Sequence, residues 1–310
     1  MGKMKKKAFL VPALILMITS CSSSGDTPEG AGKQTPSGSD PSLVSTPLDA
    51  YVPSQQDTRA LQRAEVTLVN RCLNRLGYAE NPMPEPAIDK KRELHPEFLT
   101  FPVEQAEKRG YNPPLSQLDA NEGGWDKRSS KTQQELLHGE VKVYGGMPVP
   151  EGGCVREAAD RLTKGTKIPS KIVGQGFELN RKEQASPTGL GEAHVSVIRI
   201  EATSGAKRDR RMARVVEKWS NCMAGSGYRY QSIDEAASDD RWDGNQLSPL
   251  EAATAKADMA CKRKVDYLRV AVAVQSDYEG RVIRKRKVEL ATLRSNIEKW
   301  VDNASEVLRG

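Results

Sequence analysis

Apolar residues recur every three or four positions in several stretches of the chain, which is the spacing of one face of an α-helix. Two such stretches each carry a cysteine near their end and are followed by Gly-Tyr, at 77–78 and at 227–228. Glycine just past the last turn is the usual left-handed cap of a helix. The pattern therefore predicts two amphipathic helices that end alike. Their apolar positions are Leu61, Ala64, Leu68, Cys72 and Leu76 in the first, and Met212, Val215, Trp219, Cys222 and Met223 in the second.

The C-terminal part of the chain has the longest helical pattern. Residues 248–251 (SPLE) have the composition of a capping box with proline at the first helical position. From there to Leu308 no further proline occurs, and the only glycine is Gly280. The large side chains step by four and three, with one four-residue stutter between Arg286 and Leu290. This predicts a long C-terminal helix, or a helical hairpin broken near Gly280, packed along a partner helix.

A repeat is visible in the order of these elements. After each of the two cysteine-bearing helices, a loop leads to a second cysteine that heads another amphipathic run, at 154–162 and at 261–268. The order helix, Cys, Gly-Tyr, loop, Cys, helix thus occurs twice, which indicates a duplication. The parts between are less regular: 94–105 and 131–138 are predicted as short helices, 164–190 as a linker, and 192–203 as helix or strand, with helix favoured.

An apolar run from Ala8 to Ile18 follows four lysines at positions 3, 5, 6 and 7. Cationic residues before an apolar run prefer the cytoplasmic side of a membrane. The run is shorter than the about 20 residues that span a bilayer as a helix, and it fits the central region of a secretory signal. We therefore predict that residues 1–20 are a signal peptide for export.

The residues Ile18-Thr19-Ser20-Cys21 close this signal. They resemble the lipobox of bacterial lipoproteins, in which an aliphatic and two small residues precede a cysteine. The resemblance implies that the thiol of Cys21 receives a diacylglyceryl group, and that Cys21 becomes the first residue after cleavage. It also implies a cell-membrane protein anchored on the extracytoplasmic face by two or more acyl chains, because one chain binds membranes only marginally. The alternative is an ordinary cleaved signal with a cysteine near the cut.

Residues 22–47 are almost entirely Ser, Gly, Pro, Thr and other small polar residues, and cannot bury enough apolar surface to fold. With the lipidated Cys21 they form a predicted disordered tether, 21–47, that reaches roughly 28 Å. The folded part then begins near Leu48 and spans about 260 residues, enough for two small domains. We place a first helical Cys-pair unit at 48–165, a linker or ambiguous segment at 166–205, and a second unit with the long C-terminal helix at 206–310.

Four cysteines remain besides Cys21: Cys72, Cys154, Cys222 and Cys261. An even number in an exported protein favours disulfides. Three pairings are available, and the repeat favours Cys72–Cys154 with Cys222–Cys261. A zinc site built from all four thiolates is the alternative, but the CxxC spacing typical of such sites is missing. The fold class predicted from these observations is mainly α, with two disulfide-stapled helical units and a long C-terminal helix or helical hairpin.

The net charge of +6 first suggests a polyanionic partner. Four lysines leave with the signal peptide, however, and the remaining 43 basic and 41 acidic side chains give a net +2. This ordinary balance argues against nucleic acid as a partner. Local basic runs at 262–264 and 281–287 could face anionic lipid headgroups or wall polymers. The favoured alternative is that they are the solvated face of a long helix.

Candidate chemistry is sparse. The three histidines, His95, His138 and His194, are far apart and lack a metal-binding spacing, and no Gly-x-Ser-x-Gly motif is present. The Gly-x-Gly sequences at 174–176 and 189–191 lack the third glycine of a phosphate cradle. Residues 239–244 resemble a calcium loop only superficially, because Arg241 occupies a ligand position. No catalytic, cofactor-binding or metal-binding residue is predicted, and an enzyme is not favoured.

Several short sequences together resemble uncharacterised actinobacterial cell-surface lipoproteins. They are 48–51 (LDAY), the helix ending in Cys72-Leu73, 150–158 (PEGGCVREA), 219–223 (WSNCM) and 257–262 (ADMACK). The resemblance covers most of residues 48–300. It implies the layout of the chain and no activity.

We therefore expect a membrane-anchored extracytoplasmic lipoprotein that binds a partner in the envelope without catalysis. The lipid anchor at Cys21 attaches it to the membrane, and the partner is an unknown envelope protein or wall polymer. Two alternatives remain open. One is a solute-binding component of a transporter. That class normally has two α/β lobes, whereas this sequence shows few strands. The other is an envelope enzyme whose site is assembled only by folding.

Overall fold

The computed structural model describes residues 44–85, 95, 98–111, 125–169, 171–174, 177–180, 186–242 and 247–310. The prediction of a mainly α fold is confirmed: the described residues form ten α-helices, and their strands are limited to two short antiparallel hairpins. The helices are α1 Gln55–Arg75, α2 Val103–Arg109, α3 Lys131–His138, α4 Gly153–Leu162, α5 Pro187–Ala206, α6 Arg210–Gly225, α7 Ile233–Ala237, α8 Pro249–Lys264, α9 Tyr267–Lys285 and α10 Lys287–Arg309. The hairpins are β1 Val143–Tyr144 with β2 Met147–Pro148, and β3 Lys171–Gly174 with β4 Phe177–Asn180.

Both predicted disulfides are present. Cys72 of α1 is bonded to Cys154 of α4, and Cys222 of α6 to Cys261 of α8. Each disulfide lies within its own cluster of buried apolar side chains. Structural disulfides are typical of proteins that fold in an oxidising compartment outside the cytoplasm.

The two cysteine-bearing helices end with the same backbone geometry. Gly77 and Gly227 have φ angles of 80° and 91°, the left-handed conformation that glycine adopts without a steric penalty. In each case the next residue, a tyrosine, donates its backbone N–H across the cap: Tyr78 to the carbonyl of Leu73 and Tyr228 to that of Met223, both at 2.9 Å. The repeat does not extend to the second cysteines. Cys154 heads α4 as predicted, but Cys261 lies near the end of α8.

The C-terminal pattern forms three successive helices, α8, α9 and α10. Gly280, where a break was predicted, lies inside α9. The breaks fall instead at Asp266, which is left-handed with φ 55°, and at Arg286, with φ −106° and ψ 25°. Aspartate tolerates the left-handed conformation better than most residues. The second break coincides with the stutter before Leu290, so the change in apolar spacing marks the end of one packing face and the start of another.

Helix α10 packs against α1, α4 and α5, which come from earlier parts of the chain. Two of its asparagines bind the main chain of the loop after α4. Asn303 Nδ2 donates to the carbonyls of Leu162 and Lys164 at 2.8 and 3.0 Å, and Asn296 Nδ2 donates to that of Lys167 at 2.9 Å. The largest apolar cluster therefore joins residues from Leu48 to Val307. The face that α10 buries consists of Leu290, Leu293, Ile297, Trp300, Ala304 and Val307.

The segment 166–205, predicted as a linker or ambiguous, carries regular structure. It contains the β3–β4 hairpin and most of α5, and the choice between helix and strand at 192–203 is settled in favour of helix. Leu190, Val195, Val197 and Ile198 of α5 are buried in the largest apolar cluster.

Two further boundaries differ from the sequence-based expectation. The short helix predicted at 131–138 is confirmed as α3, but the one predicted at 94–105 begins only at Val103, after Pro102 at the N-cap. Val44 and Thr46 are buried, so packing begins before the predicted start near Leu48. The described residues group into one compact unit. None of the described helices has the length and apolarity needed to cross a membrane.

Candidate functional site

A stretch rich in basic residues lies at the start of α6. Half of the twelve residues at 207–218 (KRDRRMARVVEK) are Lys or Arg. On a helix, Arg211, Arg214 and Lys218 follow one another at spacings of three and four and so share a face. Val215 lies beside them and is buried, at 4 % exposure. The helix therefore presents cations next to an apolar contact with its neighbour.

That neighbour is α9, and the two helices enclose a groove of about 300 Å³. Four cations line it: Arg211, Arg214 and Lys218 from α6 and Arg269 from the first turn of α9. This volume is at the lower end of the range of ligand pockets. Between the cations lies a floor of small aliphatic side chains, namely Val215, Val265, Val270, Ala273 and Val274.

Two of the four cations already have partners. Arg211 Nη2 lies 3.0 Å from Asp209 Oδ2, and Arg211 Nη1 lies 2.7 Å from Asp277 Oδ2 of α9. The hydrogen bonds from Arg211 lower the pKa of Asp209 to about 2. Arg269 likewise makes an ion pair, with Asp266. The charge of both arginines is therefore balanced locally, and the Arg211–Asp277 pair joins the two walls of the groove.

Arg214 and Lys218 differ from them: both are exposed, and neither makes an ion pair or hydrogen bond with a described residue. They stand one helical turn apart, and a like-charged pair at this spacing costs a helix roughly 0.2–0.5 kcal/mol. An anion seated between them would remove this repulsion. The groove therefore carries two uncompensated positive charges above an aliphatic floor.

The second disulfide fixes one end of this groove. Cys222 follows Lys218 by one turn on α6, and Cys261 precedes Val265 by one turn on α8. The Cα atoms of the two cysteines are 5.7 Å apart. Together with the Arg211–Asp277 ion pair, the disulfide makes the groove a preformed feature of the folded protein.

A buried charged network, the N-terminal clasp, consists of Asp49, His95, Arg199 and Glu279. Asp49 lies 2.9 Å from His95 Nε2 and 2.5 Å from Arg199 Nη2, and Arg199 Nε donates to Glu279 at 3.3 Å. Glu279 is fully buried and accepts the backbone N–H of Leu48 at 2.8 Å. Burial by itself would raise the pKa of Asp49, but hydrogen bonds from His95 and the Thr46 backbone, together with Arg199, hold it below its ordinary value. The clasp fixes the start of the folded body to α5 and α9.

A second buried pair joins Asp258 and Lys262, one turn apart on α8. Lys262 Nζ donates to Asp258 Oδ2 at 2.9 Å and to the carbonyl of Leu99 at 2.6 Å, and Trp219 Nε1 donates to Asp258 Oδ1 at 2.8 Å. Burial lowers the pKa of Lys262, although Asp258 opposes this shift. Lys262 is only 2 % exposed. We therefore assign this pair to the packing of the 98–111 segment against α8.

The predicted basic runs take little part in the groove. In the run 262–264, Arg263 and Lys264 are exposed, as expected for a solvated face, whereas Lys262 is buried, which corrects that expectation for this residue. In the run 281–287, Lys285 and Arg286 are paired with Glu201 at 2.6 and 2.8 Å. The groove cations were not predicted, because they are separated by other residues along the chain and do not form a basic run. The helical spacing of Arg211, Arg214 and Lys218 was the signal that could have revealed them.

The other candidate residues from the sequence do not come together in one site. His194 Nε2 lies 2.7 Å from Glu289, whereas His95 belongs to the clasp. Gly191 is inside α5, where an added Cβ would lie 3.5 Å from Trp300, so 189–191 forms no phosphate cradle. Asp239 binds Arg241. Cys21, residues 22–43, and parts of 174–176 and 239–244 lie outside the described residues. Within the described ranges, no group of three or more His, Cys, Asp or Glu residues could hold a metal ion.

Comparison of the chain with protein-family models, with curated proteins and with solved structures finds no match. The function of the groove is therefore inferred from its own geometry and charge.

Proposed function

We propose that the protein is a lipid-anchored, extracytoplasmic binding module that holds an anionic group of an envelope component in the groove between α6 and α9. The observation that carries this proposal is the pair Arg214 and Lys218, exposed and uncompensated among the described residues, above an aliphatic floor. Arginine offers a planar fork and lysine a point charge, a combination suited to phosphate or carboxylate oxygens.

The lining of the groove favours binding over catalysis. Its residues are four cations and five aliphatic side chains. General acid–base or nucleophilic chemistry at neutral pH usually needs a carboxylate, imidazole, hydroxyl, thiol or a lysine whose pKa is lowered by burial. Lys218 is exposed to solvent, an environment that does not provide such burial.

The proposed location rests on the sequence at 18–21 and agrees with the two disulfides. Acylation of Cys21 would confine the folded body to the membrane surface through the tether. Confinement raises the effective concentration of nearby envelope components, so modest contacts in one groove give useful occupancy.

Titration of the full-length chain with glycerol phosphate, a small soluble phosphate ester, tests the groove. We expect chemical-shift changes centred on Arg214 and Lys218 that weaken as salt is added. The double variant Arg214→Gln/Lys218→Gln should bind at least about tenfold more weakly, because hydrogen bonds to charged groups are each worth roughly 1.5–3 kcal/mol.

The matched control is Arg71→Gln/Lys299→Gln, which removes two exposed cations that do not line the groove. This control should bind as the wild type does. Equal weakening in both double variants would show nonspecific attraction by the net charge, and the proposed site would be wrong.

A further inference from the structure

The groove has a second property beyond its charge, which is the hydrocarbon surface between its cations. Val265, Val270 and Ala273 are at least partly exposed there, and Val215 and Val274 are buried behind them. A small hydrated anion would contact the cations and leave this surface in water. A ligand that carries an alkyl group next to its anionic group would cover both.

The positions of the cations and of the aliphatic side chains determine the orientation in which such a ligand would bind. Arg214 and Lys218 are on α6, whereas Val270 and Ala273 are on the facing helix α9. The anionic group would therefore face the cations of α6, with the alkyl group along α9.

The geometry points to an anionic phospholipid as the ligand, with the phosphodiester bound by Arg214 and Lys218 and the first methylene groups of its chains on the aliphatic floor. This inference rests on the proposed function and names its ligand class. A groove of about 300 Å³ is small for a pocket that encloses a whole ligand. It suits a headgroup and the adjoining methylenes while the rest of the chains stays outside. Each methylene buried on the floor should improve affinity about fourfold.

The test compares three probes on the full-length chain: glycerol phosphate, dihexanoyl phosphatidylglycerol and dihexanoyl phosphatidylcholine. Both lipids are kept below their micelle concentrations. We expect the dissociation constant of the anionic lipid to be at least about tenfold lower than that of glycerol phosphate, because several methylenes are buried. The zwitterionic lipid, with the same chains and no net charge, should bind at least about tenfold more weakly than the anionic one.

Two single variants test the floor. Val270→Thr replaces a methyl group by a hydroxyl of similar size, and should weaken the anionic lipid severalfold while leaving glycerol phosphate unchanged. Val288→Thr makes the same change at a valine that is 81 % exposed and outside the groove, and should leave both probes unchanged. All proteins keep the same N-terminal residues, so lipid binding elsewhere on the chain cancels in the comparison.

The outcomes separate the two proposals. Equal affinity for glycerol phosphate and the anionic lipid would contradict the proposal that the ligand is a phospholipid. It would not contradict the proposal that the groove binds anions. Equal affinity for the two lipids would also overturn it, since charge would then play no part. If neither anionic probe depends on Arg214 and Lys218, both proposals are wrong. The comparison of probes requires no substitution, so it remains decisive even if Val270→Thr does not fold.

Discussion

Asp49 shows how a single side chain can join distant parts of this molecule. It is about one-eighth exposed and is bound by Arg199 from α5 and by His95 from the segment before α2. Its sequence neighbours gave no sign of this, because Arg199 and His95 are 150 and 46 residues away in the chain. Burial of a carboxylate is tolerated when hydrogen bonds and opposite charges replace the lost water.

We predict that Asp49→Asn lowers the free energy of unfolding by about 2–3 kcal/mol near pH 7, because it removes the closer of the two carboxylates that pair with Arg199. The folded-state pKa of Asp49 lies below its ordinary value. Its contribution to stability is therefore complete above the unfolded-state pKa of about 3.9, and is lost as the pH falls through the folded-state pKa. The wild type should consequently lose more stability on acidification than the variant does.

Denaturant unfolding at a series of pH values between about 7 and 2 measures both effects. Asp302→Asn, at an exposed aspartate of α10, is the control and should cost less than about 0.5 kcal/mol. If the free energy of unfolding changes with pH equally steeply in the wild type and in Asp49→Asn, the role given to Asp49 is wrong.

At the scale of elements, the close approach of α5 and α9 depends on one glycine. A Cβ atom added at Gly205 would overlap the ring of Tyr278. Gly205→Ala should therefore destabilise the protein by about 1–3 kcal/mol, although alanine is the better helix former. Thermal unfolding followed by circular dichroism measures the change.

Gly280, in the interior of α9, provides the matched control. An added Cβ there would make only an ordinary contact, 3.6 Å from Arg284. Gly280→Ala should stabilise the protein by up to about 1 kcal/mol, because alanine loses less conformational freedom in a helix. A stabilising effect at both glycines would mean that the helices separate more readily than their packing indicates.

The same elements show how far sequence reasoning reaches. Helix periodicity located α1, α3, α6 and the C-terminal helices, because each buries one apolar stripe. It placed the C-terminal break at Gly280, whereas the chain breaks at the stutter near Arg286, since glycine permits a bend without requiring one. The burial of Lys262 depends on its contact with the Leu99 carbonyl, 163 residues away in the chain, and spacing along the sequence carries no record of that contact.

At the scale of the whole molecule, the two predicted units both contribute to the largest apolar cluster. Helix α10 belongs to the second predicted unit, yet it buries its apolar face against α1 and α4 of the first. The groove could not be predicted for a similar reason, because its walls come from α6 and α9, which meet only in the folded protein.

The location of the whole molecule is predicted to depend on Cys21. Cys21→Ala should prevent acylation, so the chain should accumulate unprocessed or be released from the membrane fraction. Fractionation of cells and mass analysis of the N-terminal peptide measure these outcomes. Ser22→Ala, which leaves the thiol in place, should remain membrane-bound. If Cys21→Ala is cleaved normally and stays in the membrane fraction, the proposed anchor is wrong.

The N-terminal clasp has a mechanical consequence. If the folded body is held through the residues before Val44, any pull on those residues reaches the clasp before it reaches helix α1. The load passes from the Leu48 backbone to Glu279 of α9, and Asp277, two residues earlier on the same helix, is the partner of Arg211 at the groove. Tension on the residues before Val44 would thus act on helix α9, which forms one wall of the groove.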